Sequence, residues 1–322
     1  MREDVMREDV MREPRHVSRV THHPLRRVAT SSPSFATDCR LDTVIKLFVT
    51  DIDGCLAEPY TPYDLEGLRR LRRAADRDDT PALSICSGRA YPYVEAMAQA
   101  LQLTVPVLFE AGGGRFDPVA AQTTWSPRLT EAAEEQLRAV EHWFHTECVP
   151  GTRLSVDHAK RTQAGVVSPD PDEIRAVRPR TEQFVADHAP GLHVFATDVS
   201  VDVVPPGITK RAGLDWLADH LGVRLDEMAY IGDADSDLEA LKAVGCSFAP
   251  ANATDAVRAA VDHVTDGAVL EGMLAAYRRC SASPAPRPPP PRPPPPPRPP
   301  PPPPRFSSTP PPRPAPGHAP PT

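Results

Sequence analysis

The chain has 322 residues, 25% of them charged, a formal net charge of −7, and 42 prolines, of which 24 fall in residues 282–322. Proline at that density removes backbone donors and holds φ near the polyproline II value, which excludes a packed element there, so only the middle of the chain has a globular composition. Residues 1–40 carry 8 Arg against 6 acids and the tail carries 5 Arg and no acid, leaving −14 on residues 41–280 and arguing against nucleic-acid binding by that core.

Residues 1–40 open on Met-Arg-Glu-Asp-Val twice, begin a third copy at Met11, and continue without aliphatic periodicity, as a disordered polar arm does. Residues 14–37 are acid-free and rich in Arg, Ser and Thr, like an organelle transit peptide, but the acidic repeats precede them, so the expected compartment is the cytoplasm. No apolar run approaches the ~18 residues of a membrane span, and no membrane association is expected. Six cysteines (Cys39, Cys55, Cys86, Cys148, Cys246, Cys280) without a Cys-x-x-Cys pair predict reduced thiols rather than a disulfide framework or a zinc site.

A mostly apolar strand over residues 44–50 leads to Asp51-Ile52-Asp53-Gly54, two carboxylates one residue apart at a strand end. Side chains alternate along a strand, so Asp51 and Asp53 share one side, and Gly54 permits a sharp turn. The pattern suits phosphoryl transfer with magnesium, although calcium loops and ordinary turns also contain it. Leu65, Leu68 and Leu71 then mark an amphipathic helix. A second strand, 81–86, ends at Ser87-Gly88-Arg89 and is followed by a helix with Val94, Met97, Ala98 and Leu101 on one face. A third, 105–109, ends at Glu110-Ala111-Gly112-Gly113-Gly114. Three such units predict an α/β fold with a doubly wound parallel sheet, whose ligand site lies beyond the strand C-termini.

Between about 117 and 205 the rhythm changes. A helix over 129–147, strands at 153–157 and 164–168, a helix over 171–188, and an alternating hairpin at 192–196 and 199–203 form an inserted, smaller αββαββ unit. The expected organisation is a disordered arm at 1–40, a discontinuous catalytic core at 41–117 and 206–280, a cap domain at 118–205, and a disordered proline-rich tail at 281–322. After Gly207 the first rhythm returns with a helix through Leu214, Leu217 and Leu221. The strand 228–231 then ends at Gly232-Asp233-Ala234-Asp235-Ser236-Asp237, and further segments at 246–249 and 253–279 close the domain.

Four motifs in this order, Asp51-Ile52-Asp53-Gly54, Ser87-Gly88-Arg89, Lys210 in Gly207-Ile208-Thr209-Lys210, and Gly232-Asp233 with Asp237, make residues 44–280 resemble the haloacid dehalogenase (HAD) phosphatase superfamily, in particular its Cof-like, capped branch. The resemblance implies a Rossmann-like core and a phosphomonoesterase. Asp51 would be the nucleophile that forms an aspartyl-phosphate, and Asp53 the general acid and base. Ser87, Gly88 and Lys210 would bind the phosphoryl group. Mg²⁺ would be held by Asp51, the main-chain carbonyl of Asp53, Asp233 and Asp237, the last either as ligand or as an orienting group. Two positions depart from the family pattern: Ser236 stands where an Asn is common, and Ala111 where Glu-Asn-Gly is common. Asn252 is then a candidate for the missing amide, and Glu110 reads equally as a loop carboxylate.

Substrate choice is expected to lie in the cap. Arg153, His158, Lys160 and Arg161 form a basic run that could hold a second anionic group of a small phosphorylated metabolite, with phosphoglycolate and sugar phosphates the classes the resemblance suggests; a solvated charged turn is the competing reading. A phosphomutase of the same superfamily is an alternative. Another is an interaction protein, because the Pro-x-x-Pro spacing from Arg287 onward suits SH3 or WW-type grooves.

Overall fold

The computed structural model describes residues 44–281. The expected disordered arm and the proline-rich tail with its SH3 or WW ligand lie outside the described residues.

Five parallel strands form the main sheet: β1 (Leu47–Thr50), β2 (Ala82–Ile85), β10 (Met228–Ile231), β11 (Cys246–Ala249) and β12 (His263–Val264), in the order β12-β11-β10-β1-β2. Apart from β12, each is buried along its length, because helices cover both faces and leave no polar side for alternation. On one face Phe48, Leu83, Ile85, Ile231 and Phe248 pack against α1 (Leu65–Ala75), α2 (Tyr91–Ala100) and α8 (Val269–Ser281). On the other Leu47, Val49, Met228 and Tyr230 pack against α5 (Lys210–Leu221), α6 (Leu238–Leu241) and α7 (Asp255–Ala260). Burying each such side chain contributes about 1.5–3 kcal/mol.

The expected third parallel strand takes a different course. β3 (Val107–Phe109) touches the main sheet through one parallel bridge, Cys86 to Leu108, and its ladder is antiparallel, with β4 (Gly114–Asp117) and β5 (Gln122–Trp125). Between β5 and α5 lie α3 (Glu131–Trp143), β6 (Ser155–Val156), β7 (Ala164–Val167), α4 (Pro171–His188), β8 (His193–Ala196) and β9 (Ser200–Val204), the αββαββ order. Their four strands form an antiparallel sheet, β6-β7-β9-β8, with its own core of Leu137, Val140, Phe144, Val166, Val201 and Val203.

Cys55, Cys86, Cys148 and Cys280 are free and buried, as expected. No described helix is long and apolar enough to cross a membrane.

Candidate active site

The strand order fixes where the site must lie. The chain leaves β1 for β2 on one side and later returns to β10 on the other, so the winding reverses at β1, and a crevice opens beyond the carboxyl ends there. Thr50 of β1 pairs with Ile231 of β10, so Asp51 and Gly232-Asp233 emerge side by side. The Asp51 amide donates to the Ile231 carbonyl at 3.1 Å.

Asp51 is 5% exposed. Its Oδ1 accepts the Ile52 amide at 2.6 Å and its Oδ2 accepts Lys210 Nζ. Thr209 caps α5 by accepting the Ala212 amide at 3.1 Å, which sets Lys210 in the first helical turn. A cation there opposes the helix dipole, and a buried ammonium is costly unless paired. Two carboxylates supply the pairing, because Lys210 Nζ also reaches Asp237 Oδ1 at 2.6 Å. Asp237 is held in turn by the Tyr230 hydroxyl at 2.6 Å and the Ala234 amide at 3.2 Å. Gly54, at φ +69°, lies in the left-handed region that favours glycine, and an added Cβ there would press on the Asp233 carboxylate. One oxygen each from Asp51, Asp233 and Asp237 lies within 4.8 Å of the others.

The Asp53 carboxylate stands outside that trio. Arg89 grips it with two hydrogen bonds, Nε to Oδ2 at 2.7 Å and Nη2 to Oδ1 at 2.6 Å, and the guanidinium lies over the rings of Tyr60 and Tyr93 at 5.3 and 4.9 Å. Arg89 thereby acquires a pKa above the ordinary arginine value, with the Asp53 bond as the largest cause. Ser87 lies one strand over from Asp51, its amide donating to Leu108 at 3.1 Å and its Oγ accepting the Arg89 amide at 3.3 Å. At Gly88 an added Cβ would meet nothing within 4 Å, so this loop borders open space.

The charges do not balance within the pocket. Burial pushes the Asp51 carboxyl up to about 6; Lys210 pulls it down, and Asp237 and Asp53 push it up further. Burial, with help from Asp51 and Asp237, pushes Asp233 up to about 7. Burial works against the Lys210 ammonium, yet Asp237 and Asp51 hold its pKa well above the ordinary lysine value. A group of hard oxygen donors carrying more negative charge than its one lysine neutralises is chemically suited to a divalent cation such as Mg²⁺. Burial raises the pKa of both adjacent thiols, Cys55 and Cys86.

The remaining sequence candidates are held elsewhere. Lys160 is buried and paired with Asp202 at 2.7 Å and Asp157 at 3.3 Å, which keep it charged against the cost of burial. Arg153 stands 3.6 Å from Asp170 and donates its amide to Glu173 at 2.7 Å. Arg161 pairs with Glu134 at 2.6 Å, and His158 stands 3.5 Å from Glu141. Asn252 serves as a brace: its Nδ2 donates to the Gly54 carbonyl at 3.0 Å and its Oδ1 accepts the Val269 amide at 2.7 Å. Sequence reasoning missed two partners, Arg89 for Asp53 and Tyr230 for Asp237. A tyrosine within an otherwise apolar buried strand was the available signal for the second, since a buried hydroxyl requires a partner.

Comparison with known proteins gives a consistent picture. Residues 116–275 match the haloacid dehalogenase-like hydrolase family. A phosphoglycolate phosphatase of Natronomonas pharaonis is 28% identical over 237 residues, covering 71% of this chain and 95% of its own. Another, of Methanoculleus marisnigri, is 24% identical over 236 residues, covering 73% and 97%. The crystal structure of a haloacid dehalogenase-like hydrolase from Bacteroides thetaiotaomicron superposes with a TM-score of 0.56 at 20% identity, over 73% of this chain and 99% of that one.

Proposed function

We propose, for a chain that belongs to the haloacid dehalogenase-like hydrolases and is a phosphatase of that superfamily, that it is a Mg²⁺-dependent phosphomonoesterase working through an aspartyl-phosphate on Asp51. Its substrate is a small phosphorylated metabolite of the phosphoglycolate or sugar phosphate class, and the inserted αββαββ unit is its cap. The observation that carries the reading is the gathering of Asp51, Asp233 and Asp237 about Lys210 at the point where the sheet reverses.

Asp51 attacks the phosphorus, the ester P–O bond breaks, and the leaving oxygen takes a proton from Asp53. Water then gives its proton to Asp53 and attacks the phosphorus, which returns the Asp51 carboxylate and releases phosphate. Arg89 engages the Asp53 carboxylate, so in the first step Asp53 must exchange Arg89 for the leaving oxygen. Lys210 holds Asp51 in place and presents positive charge to the transferring group, while the Ser87 hydroxyl and the Gly88 amide supply hydrogen bonds to its oxygens. Asp51, Asp233, Asp237 and the Asp53 carbonyl would hold Mg²⁺, whose charge would offset the repulsion between carboxylate and phosphate.

The support for the substrate class is the name of the relatives together with the small size of the inserted unit. The test is phosphate release by the full-length protein from a panel of phosphometabolites that includes 2-phosphoglycolate. Turnover with Mg²⁺ that EDTA abolishes is expected. Failure to cleave any phosphomonoester, or turnover indifferent to EDTA, defeats the proposal.

A further inference from the structure

Glu110 is completely buried and lies just beyond β3. A buried carboxylate is costly, and the cost is met here by three donors converging on one oxygen. Glu110 Oε2 accepts the Arg161 amide at 2.9 Å, the Thr162 amide at 2.6 Å and the Thr162 hydroxyl at 2.7 Å. All three belong to the β6–β7 connection of the inserted unit. Oε1 is buried and has no hydrogen-bond partner.

The backbone around the same residue grips two other segments. The Glu110 amide donates to the Arg89 carbonyl and the Ala111 amide to the Ser87 carbonyl, each at 2.9 Å. Gly112 is pressed against the start of α5, where a Cβ would stand 2.7 Å from Gly213 Cα and 2.9 Å from the Thr209 carbonyl. Three successive residues, Glu110, Ala111 and Gly112, have φ of +49°, +53° and +86°. Non-glycine residues adopt that region uncommonly, and such conformations concentrate at working sites. Residues 110–112 therefore join the Ser87–Arg89 loop, the helix start that carries Lys210, and the Arg161–Thr162 segment.

We propose that Glu110 is a positioning residue which fixes the Arg161–Thr162 segment against the phosphoryl-binding loop and so determines how the leaving group of the substrate is held. The proposal rests on the phosphatase reading above. Its chemistry is selective: the segment lies on the inserted unit and the phosphoryl-binding groups lie on the main sheet. Loss of the tie should weaken recognition of the metabolite's own leaving group and leave the handling of a generic aryl phosphate nearly untouched.

The experiment compares kcat and KM for the phosphometabolite turned over fastest in the panel with those for p-nitrophenyl phosphate, in wild type, Glu110→Gln, Thr162→Val and Thr162→Ser. Glu110→Gln is expected to raise KM for the metabolite roughly 10-fold or more with kcat little changed, and to leave p-nitrophenyl phosphate within about 3-fold. Thr162→Val, which loses the hydroxyl donor, should move the same way by less, and Thr162→Ser, which keeps it, should behave as wild type. In the double variant Glu110→Gln/Thr162→Val the second change should add nothing. A wild-type enzyme that cleaves neither ester overturns the phosphatase reading and this role with it. One that cleaves both, but in which Glu110→Gln or Thr162→Val lowers the two alike or alters only thermal stability, overturns this role alone.

Discussion

Lys210→Met tests the electrostatic account of the pocket most severely. Methionine keeps much of the length and the apolar stem of lysine and removes the ammonium. Lys210 is 4% exposed and lies between Asp51 and Asp237, themselves buried. Its removal leaves two facing carboxylates without a counter-charge, and breaking a buried pair in this way costs about 3–5 kcal/mol. For a core of this size that corresponds to a fall in Tm of roughly 6–20 °C in EDTA at pH 8. The loss must depend on pH. Lys210 lowers the Asp51 pKa in the native state, so without it Asp51 rises beyond about 6, further above its unfolded value of 3.8. A carboxyl raised on folding contributes stability that is fully present below its unfolded pKa and lost as pH rises through its folded one. The variant should therefore be closest to wild type near pH 5 and furthest from it at pH 8. Thermal unfolding followed by circular dichroism across that range measures this directly. A Tm within about 2 °C of wild type at pH 8, or an equal deficit at pH 5 and pH 8, refutes the reasoning.

The same linkage makes cation binding pH-dependent. In the metal-free protein Asp51 at about 6 and Asp233 at about 7 are both raised, so stability should decline as pH climbs through 6–7, and saturating Mg²⁺ should raise Tm more at pH 8 than at pH 5; a larger gain at pH 5 contradicts the assignment. Arg89→Gln removes the two-point grip on Asp53, and kcat is expected to fall roughly 10- to 100-fold with KM changed far less. Arg89→Lys, which keeps charge without the forked geometry, should fall between the two. Steady-state kinetics that leave kcat intact in Arg89→Gln would remove Arg89 from the account.

Much of this architecture was legible because buried parallel strands and strand-end carboxylates are local features. The strand expected at 228–231 and the helix expected at 171–188 have those bounds, since short apolar runs and an Asp-Pro start are read within a few residues. The β4–β5 hairpin was not legible. Gly114-Arg-Phe-Asp and Gln122-Thr-Thr-Trp hold few aliphatic residues, so no apolar period marks the two strands that follow β3 in an antiparallel meander, β4 on β3 and β5 on β4. The sequence pattern brought Asp51, Lys210, Asp233 and Asp237 forward as separate motifs, and the fold gathers them. It placed Asp53 beside Asp51 but carried no sign of Arg89, 36 residues away, as the partner of Asp53. The basic run from Arg153 to Arg161 looked available for a substrate because its partners, Asp170, Asp202, Glu141 and Glu134, are distant in sequence. Glu110 was ambiguous for the same reason, its three donors lying 51 and 52 residues further on.

The central claim is that Asp51 accepts the phosphoryl group. Acid quenching of the full-length protein during turnover of a phosphomonoester with Mg²⁺, followed by mass spectrometry of its peptides, tests it most directly. A phosphoryl adduct on the peptide containing Asp51, absent with EDTA, together with loss of turnover in Asp51→Asn, is the predicted result. Undiminished phosphate release by Asp51→Asn, or an adduct on a different residue, would contradict it.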